Sequence, residues 1–189
     1  MSDLPRCYFA FRSPFSRLGL HKLARAGVDI ELLPFLGPPD GVPFMDPMGS
    51  PLKRSYFAKD AARMTARMGL PIALPKPFEV DMASPAGLFF LANEAGKGLD
   101  YAIAVSDARW GEGKDISDPA LLADILTGLG LDPALVDQVA GSAAVTAGVA
   151  ATKTKTAEDG VFGVPFLVSG EDKFWGHDRI DLFLEASPN

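Results

Sequence analysis

Apolar positions fall into short strand-like runs at the two ends of the chain and into helical spacing between them. The run Cys7-Tyr8-Phe9-Ala10-Phe11-Arg12 predicts a first strand over residues 6–12. Residues 14–26 place Leu18, Leu20, Leu23 and Ala24 at helical spacing. Ser13 suits the N-cap, and Pro14 suits the first helical position, where its missing N–H is not needed. Gly27 ends the helix. Residues 29–35 predict a second strand, and the strand–helix–strand order implies a parallel pair. Gly37-Pro38-Pro39-Asp40-Gly41 then breaks the pattern.

The following ~110 residues are helical in spacing. Leu52, Tyr56, Ala61, Met64 and Met68 form one predicted face of a helix stopped by Gly69 and Pro71. Ser84-Pro85 opens another, with Leu88, Leu91, Ala92 and Ala95 inward. Tyr101 to Trp110 continues the pattern. Ser117-Asp118-Pro119 and Asp132-Pro133 are further helix starts, and Ala143 to Ala157 is the last helix of this block. Strand character returns at Val164–Ser169. Gly170-Glu171-Asp172 turns the chain into Lys173-Phe174-Trp175, and Gly176-His177-Asp178 opens a final helix. The economical architecture is one α/β unit built from both ends, residues 1–40 and 155–189, with an all-helical insertion at 41–154.

Composition narrows the function classes. Apolar residues make up 48% and charged residues 22% of 189 positions, as in a globular chain. A net charge of −6 without a dense Lys/Arg cluster argues against nucleic acid as a partner. No apolar run reaches membrane-spanning length, and no basic flank with an apolar core marks a secretion signal. One cysteine excludes an internal disulfide and a cysteine-based metal cage. A reducing cytoplasm, rich in small thiols, is the expected location.

The chemistry gathers at a strand followed by Ser13-Pro14-Phe15-Ser16 at a helix start, and at Gly160-Val161-Phe162-Gly163-Val164-Pro165-Phe166 far downstream. This is the layout of a thioredoxin-type active site with serines where a redox protein carries cysteines, so any sulfur must be borrowed. With Phe174-Trp175-Gly176-His177-Asp178-Arg179 and Trp110-Gly111-Glu112-Gly113-Lys114-Asp115-Ile116-Ser117, the order resembles the kappa-class glutathione transferases and the related 2-hydroxychromene-2-carboxylate isomerases, over nearly the whole chain. The resemblance implies a thioredoxin-like α/β fold of the DsbA type, glutathione as cofactor, a homodimer and a small aromatic electrophile as substrate. Two positions depart from the family pattern. The segment from Phe44 to Pro51 lacks the usual Asn, and His177 stands where Ser, Asn or Gln is common.

Each candidate residue carries an ordinary alternative. Ser13 sits where amide groups and the helix dipole favour an anion, and the resemblance implies that it stabilises the glutathione thiolate. A plain N-cap requires Ser13 just as much. Ser16 has a supporting role only. A cis Val164–Pro165 bond would present a backbone edge to a peptide ligand, against the usual trans edge proline. Asp178, with His177, is implied at the γ-glutamyl end, although Asp178 also suits an N-cap. Lys53 is implied on the glycine carboxylate, where a single Lys is otherwise simply solvated. Phe15, Met45, Met48 and Trp175 form an expected apolar wall, though such side chains more often belong to a core. His21 is expected to face solvent or pack locally, and Cys7 to be a small buried hydrophobe.

The implied reaction is reversible thiolate addition to a C=C conjugated to a carbonyl, giving cis–trans isomerisation. A kappa-like transferase or peroxidase would use the same thiolate for conjugation or reduction. A non-catalytic thioredoxin-like module is a third reading, and a disulfide oxidoreductase is nearly excluded by the lone Cys7.

Overall fold

The computed structural model describes residues 4–39, 41–43 and 49–186. Strand β1 (Arg6–Phe9) is followed by helix α1 (Pro14–Ala26) and strand β2 (Glu31–Pro34). Six helices come next: α2 (Pro51–Arg67), α3 (Ala83–Glu94), α4 (Gly98–Trp110), α5 (Pro119–Gly128), α6 (Leu135–Gln138) and α7 (Ala143–Glu158). Strands β3 (Phe166–Ser169) and β4 (Asp172–Trp175), a 3-10 turn (His177–Arg179) and helix α8 (Ile180–Ala186) complete the described fold. The sheet order is β2-β1-β3-β4, with β1 parallel to β2 and antiparallel to β3, and β3 antiparallel to β4.

Alternation along the strands separates two apolar faces. Cys7, Phe9, Leu32 and Leu167 join α1, α3, α4 and α5 side chains in the larger core. Tyr8, Leu33, Phe166 and Val168 form a smaller cluster with Val161. Cys7 is buried as expected, and burial pushes its thiol up to about 12. Helices α3 and α4 contribute Leu88, Phe89, Ala92, Tyr101, Ala102 and Val105 to the larger core, so they carry apolar residues over much of their surface.

Local expectations fail in instructive places. The first strand stops at Phe9 rather than residue 12. There the chain turns: the Ser13 N–H donates to the Ala10 carbonyl (3.0 Å), and the Ala10 N–H donates to Ser16 Oγ (3.1 Å). Leu52 and Tyr56 are exposed, and the buried side of α2 is Ala61 and Thr65. The face read from its N-terminal half stays exposed at Leu52 and Tyr56, while the neighbouring Phe57 turns to an aromatic partner in α1. Helix α3 begins at Ala83, whose N–H donates to Asp81 (2.9 Å), one residue before the expected start. Ala95 lies outside the core. Helix α4 begins at Gly98 rather than Tyr101. Asp178 does not cap the last helix; its carboxylate pairs with Arg179 (2.7 Å).

Candidate active site at the start of the first helix

Ser13 occupies the N-cap of α1 in extended conformation, and Oγ accepts the Ser16 N–H (3.1 Å). That bond uses an oxygen lone pair and leaves the hydroxyl proton available, so capping and donation to a ligand are compatible. Ser16 is fully buried, and its bond from Ala10 closes the loop from within.

Tertiary contacts hold this loop from three sides. The Trp110 indole N–H donates to the Phe11 carbonyl (2.9 Å) across 99 positions. Arg17, one turn into α1 and buried, donates from Nε to Asp107 (2.6 Å) and from Nη1 to the Pro71 carbonyl (2.7 Å). His21 Nε2 lies 2.8 Å from the same Asp107 oxygen, so it joins a specific network. Burial pushes the Asp107 carboxyl up, but His21 and Arg17 outweigh it and hold it below its ordinary value. Gly19 provides the third side, because a Cβ there would sit 3.4 Å from Pro165 and 2.9 Å from the end of Ile180.

The Val164–Pro165 bond is cis. Pro165 is buried and Val164 half-buried. No backbone hydrogen bond to the Val164 N–H or carbonyl is formed among the described residues. Phe15 and His177 come together as a stacked pair, 4.7 Å between centroids and 17° between planes. Phe57 of α2 meets Phe15 edge-on at 5.6 Å. His177 Nε2 is buried without a hydrogen-bond partner among the described residues, and burial lowers the ring's basicity. Trp175 packs elsewhere, edge-on to Phe162 at 4.9 Å and against Gly163 of the cis-proline loop. Lys53 is exposed in the first turn of α2, where Ser50 caps. Asp178 is exposed in its pair with Arg179. Met45 and Met48 lie outside the described residues.

Arg17, Asp107 and Trp110 are the supporting residues that sequence reasoning did not single out. The only signal was indirect: Trp110 opens the Trp110–Ser117 motif, but nothing local says that it faces Phe11. A depression of about 520 Å³ lined by Leu4, Arg6, Glu31, Lys155 and Glu158 lies at the far end of β1 from Ser13. Its cations are already engaged, Arg6 with Asp159 and Lys155 with Glu31. Among the described residues no cluster of three His, Cys, Asp or Glu could hold a metal, and no helix is long and apolar enough to cross a membrane.

A mixed sheet with a cis-proline loop against the helix that follows its first strand defines a thioredoxin-type protein. Residues 6–187 match the DsbA-like thioredoxin domain, and the chain belongs to that family. Within it, the chain is similar to 2-hydroxychromene-2-carboxylate isomerase of Sphingobium xenophagum, with 31% identity over 95% of this chain and 94% of that protein. The isomerase of Pseudomonas putida shares 27% identity over 95% and 91%. A solved 2-hydroxychromene-2-carboxylate isomerase superposes with TM-score 0.83 at 24% identity, covering 97% of this chain and 94% of that one. The cytosolic disulfide reductase DsbM of Pseudomonas aeruginosa, solved with GSH, has the same fold (TM-score 0.66, 19% identity, 96% and 97% covered).

Proposed function

We propose that this protein is a glutathione-dependent cis–trans isomerase of 2-hydroxychromene-2-carboxylate or a similar aromatic enone acid. The observation that carries the reading is Ser13: a half-buried hydroxyl at a helix N-terminus, with its proton given to no acceptor among the described residues and no cysteine beside it. The curated relatives' names support the isomerase reading, and the GSH on DsbM supports glutathione as the thiol.

The residues fit that tripeptide. Bound glutathione would supply a thiolate nucleophile for reversible addition to the conjugated C=C, the chemistry that permits rotation about the former double bond with the thiol recovered. Ser13 donates its O–H to the sulfur anion, and the α1 amides add the field of the helix terminus. The free backbone edge at Val164, beside Pro165, pairs with the ligand's peptide groups. Lys53 reaches the glycine carboxylate. Asp178 exchanges Arg179 for the γ-glutamyl ammonium, with His177 beside it. Phe15, stacked on His177, lines the electrophile's side of the pocket. We assign the thiol site to the sheet unit (1–40 and 155–189), the insertion (41–154) contributing Lys53.

The test is calorimetric titration with reduced glutathione, wild type beside Asp178→Ala, followed by turnover of 2-hydroxychromene-2-carboxylate. Binding should weaken several-fold in the variant, and isomerisation should proceed without net loss of glutathione. Stoichiometric consumption of glutathione would replace the isomerase with a transferase. Absence of glutathione binding would refute the thiol reading altogether.

A further inference from the structure

Two arginines, Arg12 on the turn between β1 and α1 and Arg109 on α4, have no role in the site described so far. Arg12, directly before Ser13, pairs with Glu79 at 2.9 Å, and the two side chains are 57% and 67% exposed. Behind them Arg109 is fully buried. Its Nη2 donates to the Phe78 carbonyl (2.6 Å), while Nε and Nη1 have no partner among the described residues. The guanidinium lies 5.3 Å from the centroid of the Trp110 ring. Arg109 forms no ion pair among the described residues, although Glu79 and Asp115 attract its charge and Arg12 opposes it.

Connectivity ties this group to the chain segment that carries Ser13. Trp110, next to Arg109, is bonded to the Phe11 carbonyl, and Arg12 and Ser13 follow Phe11. The segment that carries Glu79 is fastened to the end of α4, with the Ala73 N–H on the Trp110 carbonyl (2.8 Å) and the Lys76 N–H on the Gly113 carbonyl (3.0 Å). Ile72 and Leu74 of that segment are exposed, at 45% and 67%. A buried guanidinium with unfilled donors and no carboxylate of its own is costly. An exposed Arg–Glu pair in front of it is weak and readily exchanged. An exposed cation backed by a buried one, paired with a segment that also exposes aliphatic side chains, suits an aromatic ring bearing a carboxylate.

We propose that Arg12 binds the carboxylate of an aromatic acid substrate, and that Glu79 occupies its place until that carboxylate displaces it. The assignment rests on the reading of Ser13 as the reaction site. Exchange keeps one carboxylate on Arg12 throughout, so the charge balance above Arg109 is preserved. The fork of Arg12 then sets which end of the substrate faces Ser13.

The test is equilibrium binding of salicylate and of salicylamide, which share a ring and differ in charge, to wild type, Arg12→Leu and Glu79→Gln. Wild type should bind salicylate about tenfold tighter than the amide, the size of one lost charged contact. Arg12→Leu should abolish that preference, and Glu79→Gln should tighten salicylate several-fold without affecting the amide. Equal wild-type affinities, no salicylate binding, or a preference that survives in Arg12→Leu would overturn the proposal. A parallel glutathione titration separates the two readings: its failure sinks the thiol site, while the salicylate comparison still decides Arg12.

Discussion

Ser13 is asked to do two things, and two substitutions separate them. Ser13→Ala removes both the cap to the Ser16 N–H and the free hydroxyl proton. Ser13→Gly removes the hydroxyl as well, but glycine is a tolerable N-cap. Losing the cap to alanine costs about 1 kcal/mol, and to glycine only a few tenths. For a domain of this size, the alanine variant should melt about 2–4 °C lower and the glycine variant about 1 °C lower or less. Donation to a thiolate is a charge-assisted bond, worth about 1.5–3 kcal/mol. At 1.4 kcal/mol per tenfold, either variant should lower the thiolate-to-thiol ratio of bound glutathione by about 10- to 100-fold. The assay is the ultraviolet absorbance of bound thiolate across a pH series, beside a melting curve of each protein. Equal loss of thiolate in both variants, with the larger loss of stability in alanine, is the expected result. A thiolate ratio unchanged in Ser13→Gly would refute the donor role and leave Ser13 a helix cap.

Two further predictions concern what holds the site. Asp159 accepts from Arg6 at 2.7 and 2.9 Å and from buried Tyr8 at 2.5 Å, joining the start of β1 to the end of α7. Burial pushes its carboxyl up, but the Arg6 and Tyr8 hydrogen bonds outweigh this and leave it below its ordinary value. Its contribution is therefore complete above the unfolded value near pH ~4 and is lost as pH falls through the lower folded value. Asp159→Ala should cost about 3–5 kcal/mol by denaturant titration at neutral pH and should flatten the acid limb of stability. An unaltered acid limb would contradict the pairing. Trp110→Phe removes the donor to the Phe11 carbonyl and should cost about 1–3 kcal/mol. If the loop then loosens, glutathione affinity should fall with stability, and intact affinity in calorimetry would show that the loop does not need this anchor.

Caps and breakers wrote much of the helical architecture into the chain. Ser13, Ser50, Asp118 and Ser142 each accept a backbone N–H at the start of a helix, and Gly27 closes α1 in the left-handed conformation. These devices act within about one helical turn, so their residues betray them. The same locality explains the misreadings. Leu52 and Tyr56 have helical spacing, but spacing does not say whether a neighbour arrives to cover that face. Asp178 looks like a cap, yet its carboxylate meets Arg179 instead.

The sequence by itself therefore determined the order of strands and helices, the serine at the head of α1, and the absence of an internal disulfide. It left open which distant side chains would support that serine. The Phe15–His177 stack, the Trp110 bond to Phe11, the Arg17–Asp107–His21 network and the buried Arg109 behind Arg12 were decided only when the chain folded. Most of these pairings join residues roughly ninety or more positions apart, beyond the reach of helical and strand periodicity. The partners from α4 are fixed by how the helices between β2 and β3 dock on the sheet, and the Phe15–His177 stack by how the chain's last turn meets α1; both are properties of the packed core.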